Sequence, residues 1–191
     1  MKDTPTREAV RVRLQGRFGR EYTYVASCPS TQRLLPPDAP EGAVAVADEQ
    51  TEGRGRLGRR WEAPPGTSIL CSVQLRPAVA ASRFPELTVV GAEACAEAIR
   101  TVTGLESTLK EPNDVLLGGR KVAGILGEAG EGRVVLGIGI NVNVREDQLP
   151  ADVRVPAASL LVEVGAPVDR VGLLVELLAA LERRYDAWLL T

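Results

Sequence analysis

Apolar and polar positions alternate and repeat in a way that divides the chain into short strands and two long helices. Val10, Val12 and Leu14 alternate with Arg11 and Arg13, which predicts a half-buried strand. Glu21 to Ala26, rich in Tyr and Thr, predicts a second strand. Ser30 or Thr31 is placed to cap a short helix that Pro36 and Pro37 stop. Gly42 to Asp48 is a run of small apolar residues and reads as a central strand, followed by a loop over Gln50 to Arg60. Ile69, Cys71, Val73 and Leu75 recur with the period of two of a sheet strand.

The period then changes. Pro85 suits a helix start, and Leu87, Val90, Ala94, Ala98 and Val102 form an apolar stripe at helical spacing up to Thr103. Leu116 and Leu117, the turn Gly118-Gly119 and Lys121 to Gly127 predict a hairpin. Glu131-Gly132 turns the chain into a long apolar strand from Val134 to Asn143. Asp169 is placed to cap a last helix whose stripe is Val171, Leu174, Val175, Leu178, Leu181, Tyr185, Trp188 and Leu189. Strands outnumber helices, and the helices are long enough to cover one sheet face. The fold class is therefore α+β, a central sheet with helices packed on it.

At 191 residues the chain reads as a single domain, 1–191. Its 23 basic and 25 acidic residues give a net charge of -2, which argues against a nucleic-acid coat. Histidine is absent, so Ser-His-Asp, Cys-His and HExxH chemistry are all excluded. Cys28, Cys71 and Cys95 are few and widely spaced, as expected of reduced thiols in a cytoplasmic protein. No apolar leader precedes Gln15, and the greasiest stretch, Gly172 to Leu181, is too short to span a membrane.

Four segments carry candidate chemistry. Gly53-Arg54-Gly55-Arg56-Leu57-Gly58 spells a dinucleotide fingerprint, but that motif must open into a helix. Pro64, Pro65 and Gly66 follow too soon, so the Rossmann reading is rejected. What remains is a loop with guanidiniums at Arg54, Arg56, Arg59 and Arg60, suited to phosphate or carboxylate oxygens, with Trp61 beside it as a stacking surface or a core residue. Lys110-Glu111-Pro112-Asn113-Asp114 is a polar turn whose Asn113 and Asp114 either shape the turn or face a charged ligand or its Mg²⁺, with Lys110 near phosphate. Lys121 lies on an apolar strand, either at a half-exposed surface or aimed into a site. Gly137, Gly139 and Asn141 interrupt the last strand; glycine there marks close approach by a ligand or another backbone, and Asn141 either reads a base edge or holds a neighbouring loop.

Taken in order, Ser30-Thr31-Gln32, Gln50 to Trp61, Lys110 to Asp114, Lys121 to Leu126 and Gly137 to Asn143 resemble the catalytic domain of the biotin protein ligase family. The resemblance spans about Tyr24 to Asn143 and implies the class II synthetase-like fold of biotin and lipoate ligases, with helices on one side of a mixed sheet. It implies ATP and biotin as substrates with Mg²⁺, a biotinyl-adenylate intermediate, and transfer to a lysine of a biotin carboxyl carrier protein. By the same resemblance, Ser30, Thr31, Gln32 and Gln50 bind the biotin head, and Gly53, Gly55, Gly124 and Ile125 line its path. Lys121 contacts carboxylate and phosphate, while Arg54 and Arg56 cover the intermediate. Arg59, Trp61, Lys110, Asn113 and Asn141 surround the nucleotide, and Asp114 serves Mg²⁺ or the incoming lysine. The expected form lacks the N-terminal DNA-binding domain and the small SH3-like C-terminal domain of some relatives. Relatives dimerise through a sheet edge, and no such surface is marked here. Glu111 stands where the family has Trp, and Glu52 where it has a small residue, a place from which it could pair with a loop arginine. The rivals are a lipoate or octanoate ligase of the same fold, a non-catalytic biotin binder, and a nucleic-acid module with steep salt dependence.

Overall fold

A computed structural model of the chain describes residues 3–151 and 153–191. The elements are α1 (Arg7–Arg11), β1 (Tyr22–Cys28), β2 (Val44–Gln50), β3 (Ser68–Leu75), α2 (Glu86–Thr103), β4 (Thr108–Lys110), β5 (Asp114–Leu117), β6 (Arg120–Gly130), β7 (Arg133–Asn141), α3 (Leu160–Val164) and α4 (Arg170–Leu189). All seven strands form one sheet in the order β1-β2-β3-β7-β6-β5-β4. β1 and β2 run parallel and the remaining pairs antiparallel, so the sheet is mixed.

The two long helices follow their predicted stripes. Gly104, with φ 74°, closes α2 by donating its N–H to Arg100 O. Asp169 caps α4 by accepting from Val171 N at 3.0 Å. The α2 face is built from small residues, Gly91, Ala94, Cys95 and Ala98, which lets the helix lie close to β6 and β7. A Cβ on Gly91 would lie 2.8 Å from Leu136 Cδ2 and 3.2 Å from Ile125 Cγ2. α4 buries more than its stripe, adding Leu173, Leu177 and Ala180. The N-terminal segment explains the excess, since α1 packs on α4 and Phe18 sits 5.9 Å from the Tyr185 ring.

The first predicted strand is instead α1. Thr6 Oγ1 accepts from Ala9 N at 3.3 Å, a helix N-cap. Val10 is buried, while Val12 is 83% exposed. Three alternating residues were too few to outweigh a cap. β3 departs from simple alternation as well, because all eight of its residues are buried. Helices cover one face, and the short 3-10 turn Thr31–Leu34 covers part of the other. Two of its buried polar positions are paired: Ser72 Oγ lies 2.7 Å from Thr31 Oγ1, and Gln74 Oε1 accepts from Arg133 at 2.8 Å, while Ser68 Oγ is buried without a partner.

Among the described residues no helix is long and apolar enough to cross a membrane. All three cysteines are free and buried. Arg17 fastens the N-terminal segment to the end of α4. It pairs with Asp186 and, at 3.0 Å, with Glu182, whose Oε2 also accepts from the N–H groups of Arg17 and Phe18.

Two outcomes follow from this packing. Gly91→Val should lower stability by about 1–3 kcal/mol, measured by urea unfolding, because the added methyls meet sheet side chains that have no room to retreat. The Arg17 guanidinium holds the Asp186 carboxyl below its ordinary range. A depressed carboxylate stabilises above its unfolded pKa, and that contribution is lost as pH falls through the folded value. The stability deficit of Arg17→Met should therefore be full at neutral pH and shrink below about pH 4, followed by circular dichroism.

Candidate functional site

The centre of the site is a part of the sheet that carries no side chains. On β7, Leu136, Ile138 and Ile140 turn toward the helical layer and are buried there. Alternation sends Gly137 and Gly139 to the opposite face. Gly124 of β6 pairs directly with Gly139, and Leu126 with Gly137. The result is a bare patch of backbone under a cleft of about 720 Å³. Trp61 lies on this patch. A Cβ at Gly139 would sit 2.6 Å from its Cε2, and one at Gly124 3.0 Å from its Cζ3. The indole Nε1 is buried without a hydrogen-bond partner.

Lys121 stands at the edge of the patch. Its N–H donates to Pro156 O at 2.7 Å and its carbonyl accepts from Ala158 N at 2.8 Å. The side chain reaches into the cleft, with Nζ 2.7 Å from Asp114 Oδ1 and 5.5 Å from the Trp61 ring centroid. The ammonium approaches Asp114 outside a good hydrogen-bond direction, which leaves Oδ1 formally unsatisfied despite the short contact. Lys121 thus lines the cleft and does not lie on an open strand surface. Asp114 arrives there because β5 pairs with β6, Asp114 facing Gly124.

The polar turn before β5 contains a cis peptide between Glu111 and Pro112. Asn113 accepts from Ile125 N at 2.9 Å through its carbonyl and from Arg56 at 3.3 Å through Oδ1. Lys110 and Glu111 are exposed at the rim of the cleft. Ile125 borders the cleft, but its side chain points to the helical layer near Gly91. Asn141 is buried and donates to Ala158 O at 3.0 Å, so its amide holds a neighbouring segment.

The loop from Thr51 to Thr67 closes over this face. A Cβ on Gly53 would lie 2.3 Å from the Trp61 carbonyl oxygen, and Trp61 N donates to Gly53 O at 3.0 Å. Leu57 sits in the left-handed region at φ 58°, and the motif forms a single 3-10 turn, Arg56–Gly58. No helix opens after it, in agreement with rejecting the dinucleotide reading. Arg54 pairs with Glu128 of β6 at 2.8 Å, and Arg60 donates to Thr51 O at 2.8 Å. Gly55 N donates to the Arg59 carbonyl at 2.7 Å, which sets the curl of the loop. Glu52 pairs with Arg33 at 2.8 Å, outside the loop, and not with a loop arginine as its position suggested.

Beside the patch, Thr31 donates to Gln50 Oε1 through both N (2.8 Å) and Oγ1 (3.1 Å). Gln32 Nε2 donates to Leu126 O at 3.1 Å and lies against Gly137. Ser30 is buried next to them. Cys71 borders the cleft too, but burial pushes its thiol up to about 12, so it stays protonated and inert at neutral pH. The sequence reading missed one wall, formed by Val153, Arg154, Val155 and Ala157. That stretch has no periodicity, and only its bonds to Lys121 and Asn141 reveal its place. Among the described residues no group of three acidic, cysteine or histidine side chains is arranged to hold a metal.

Residues 24–144 match the biotin/lipoate A/B protein ligase family. The chain is 39% identical over 177 residues to the bifunctional ligase/repressor BirA of Bacillus spizizenii, covering 88% of this chain and 54% of that protein. It is 39% identical over 153 residues to the biotin–[acetyl-CoA-carboxylase] ligase of Mycobacterium tuberculosis, covering 78% and 56%. It therefore spans about half the length of these relatives. The biotin protein ligase of Aquifex aeolicus in complex with biotin and ATP superposes with a TM-score of 0.79 at 32% identity, covering 88% of this chain and 72% of that one. The seven-stranded mixed sheet, the helices on one side and the matched motifs all agree: the chain belongs to the biotin/lipoate A/B protein ligase family.

Proposed function

We propose that this chain activates biotin with ATP and transfers it to a lysine of a biotin carboxyl carrier protein. The observation that carries the reading is the convergence of Lys121, the arginine loop and Trp61 on the glycine patch. The glycines let the Trp61 indole lie flat against the sheet backbone and so leave the cleft above it open to a ligand, and the cations around the cleft suit two anions brought together.

In the first step a biotin carboxylate oxygen attacks the α-phosphorus of ATP. The bond to the bridging oxygen breaks, and pyrophosphate leaves with its electrons. Negative charge gathers on the oxygens around the phosphorus, and fixed cations in a partly dry cleft are the main means of stabilising it. Lys121 takes this role, turning its ammonium from Asp114 to the ligand oxygens. Arg54 and Arg56 cover the adenylate; the contacts that hold them, with the half-buried Glu128 and Asn113, lie in solvent, and an anionic ligand readily displaces them. Ser30, Thr31, Gln32 and Gln50 meet the uncharged biotin head with paired donors and acceptors, and Gly53, Gly55 and Gly124 leave room for its body. Trp61 stacks on the adenine, and Lys110, Arg59 and Asn113 frame the nucleotide, with Asn141 acting through the Ala158 segment that its amide holds. Among the described residues Asp114 is the carboxylate beside Lys121, with no cluster of acidic ligands around it, so Mg²⁺ would fit there only with phosphate oxygens completing its shell. Mg²⁺ would neutralise phosphate charge. In the second step the carrier amine attacks the acyl carbon, AMP leaves, and Asp114 or solvent takes the proton.

The support is of two kinds. The Aquifex relative carries biotin and ATP on the same fold, and the Mycobacterium relative is a biotin–[acetyl-CoA-carboxylase] ligase. The free, buried cysteines suit a reducing cytoplasm.

The deciding assay is exchange of labelled pyrophosphate into ATP with Mg²⁺, with biotin and lipoate as parallel substrates. Exchange with biotin is expected. Exchange with lipoate alone would move the chain to the other branch of the family, and biotin binding without exchange would make it a binder. Lys121→Met should reduce exchange by about 10²–10³-fold while the protein stays folded by circular dichroism. Gly139→Val should weaken biotin binding by about 100-fold in calorimetry, since two methyls would stand where the indole and ligand must lie.

A further inference from the structure

The arginine loop stands on two feet, and one buried guanidinium holds both. Asp48 lies near the end of β2, just before the loop leaves the sheet, and Ser68 opens β3 where the chain returns. Arg170, the first residue of α4, is 2% exposed. Its NH1 donates to Asp48 Oδ1 at 2.7 Å and to Ser68 O at 3.3 Å. Its Nε donates to Asp3 Oδ2 at 3.1 Å. The second oxygen of Asp48 accepts from the Tyr24 hydroxyl at 2.6 Å, and its backbone carbonyl accepts from Gly66 N at 3.0 Å. Burial and this hydrogen bond push the Tyr24 hydroxyl up to about 12, so it remains a donor. Asn143 closes the same corner by donating its N–H to Thr67 O at 2.6 Å.

A buried arginine is tolerated only when its donors are met, and most helix-start arginines stay in solvent. Here two of the acceptors are the ends of a single loop. Seventeen residues separate Gln50 from Ser68, and they include Arg54, Arg56 and Trp61. A loop of that length has many ways to lie on a sheet. Fixing both feet to one rigid fork reduces them, and a small misplacement of a cation or an indole costs much in a polar site.

We propose that Arg170 and Asp48 are positioning residues: they set the exit and return of the arginine loop and so hold Arg54, Arg56 and Trp61 in register with Gly124 and Gly139. The proposal rests on the adenylation reading for its kinetic consequence and on the geometry alone for its effect on the loop.

The test uses the whole chain with Asp48→Asn, Arg170→Lys and Asp3→Ala. Asp3→Ala removes the third acceptor of the same guanidinium and a 3.3 Å contact with the Asn143 side chain, but Asp3 bonds neither Asp48 nor Ser68, and the Asn143 backbone bond to Thr67 stays in place. Two quantities are read beside the unfolding midpoint: the KM for biotin in pyrophosphate exchange, and the rate of tryptic cleavage at Arg54, Arg56, Arg59 and Arg60 relative to cleavage elsewhere. Asp48→Asn should raise both by about tenfold, as expected for weakening a charge-assisted hydrogen bond. Arg170→Lys should raise both by less, because an ammonium keeps the charge but lacks the fork. Asp3→Ala should lower the midpoint and move neither. Wild-type loop cleavage and KM in Asp48→Asn would overturn the proposal, as would equal shifts in Asp3→Ala. If the wild type gave no biotin-dependent exchange, the adenylation reading would fail, and loop cleavage would still decide whether Arg170 and Asp48 hold the loop.

Discussion

Gly124 and Gly139 face each other across two neighbouring strands, and most of the site follows from that pairing. Elsewhere the same strands are packed on both sides or on the helical side by valine, leucine and isoleucine. At this one place the sheet offers bare backbone, so a planar group can lie against it. Trp61 does so in the structure, and its indole brings the root of the arginine loop with it. Lys121 and Asp114 are delivered to the rim by the β5–β6 pairing. A side chain at either glycine would separate these parts.

The opposite face supplies the rigidity that such a patch requires. Glycine in a strand loosens it, since there is nothing to pack and more backbone entropy to lose. The loss is offset below, where α2 approaches the glycine-bearing strands closely through its small residues and Ile125, Leu136, Ile138 and Ile140 fill the interlayer space. α4 then buttresses α2, and the N-terminal segment locks α4 through Arg17, Glu182 and Asp186. The chain thus reaches from packing in one layer to ligand room in the other.

Much of this was legible in the sequence, for identifiable reasons. The stripes of α2 and α4 run for five turns, long enough for periodicity to be decisive, and the Gly118-Gly119 and Glu131-Gly132 turns fixed the two hairpins. α1 was misread because Val10, Val12 and Leu14 alternate by accident, while the Thr6 cap that decides the matter is a single side chain. α3 and the wall from Val153 to Ala157 carry no period at all; backbone bonds to Val142 and Lys121 hold them, and such bonds leave no mark on residue choice. The glycines at 137 and 139 announced a close approach, yet only the register showed that Gly139 faces Gly124 of the neighbouring strand. Arg170 and Asp48 are 122 residues apart, beyond any local pattern.

The account stands or falls on whether the patch and its cations hold an activated acyl group. The direct measurement is to incubate the protein with biotin, Mg²⁺ and ATP labelled at the α-phosphate, without carrier, and to pass it over a desalting column. The account predicts that the α-label co-elutes with the protein only when biotin is present, at close to one label per chain, and that a γ-label does not. Label retained equally without biotin, or retained from both positions, would show bound ATP in place of an adenylate and would contradict it.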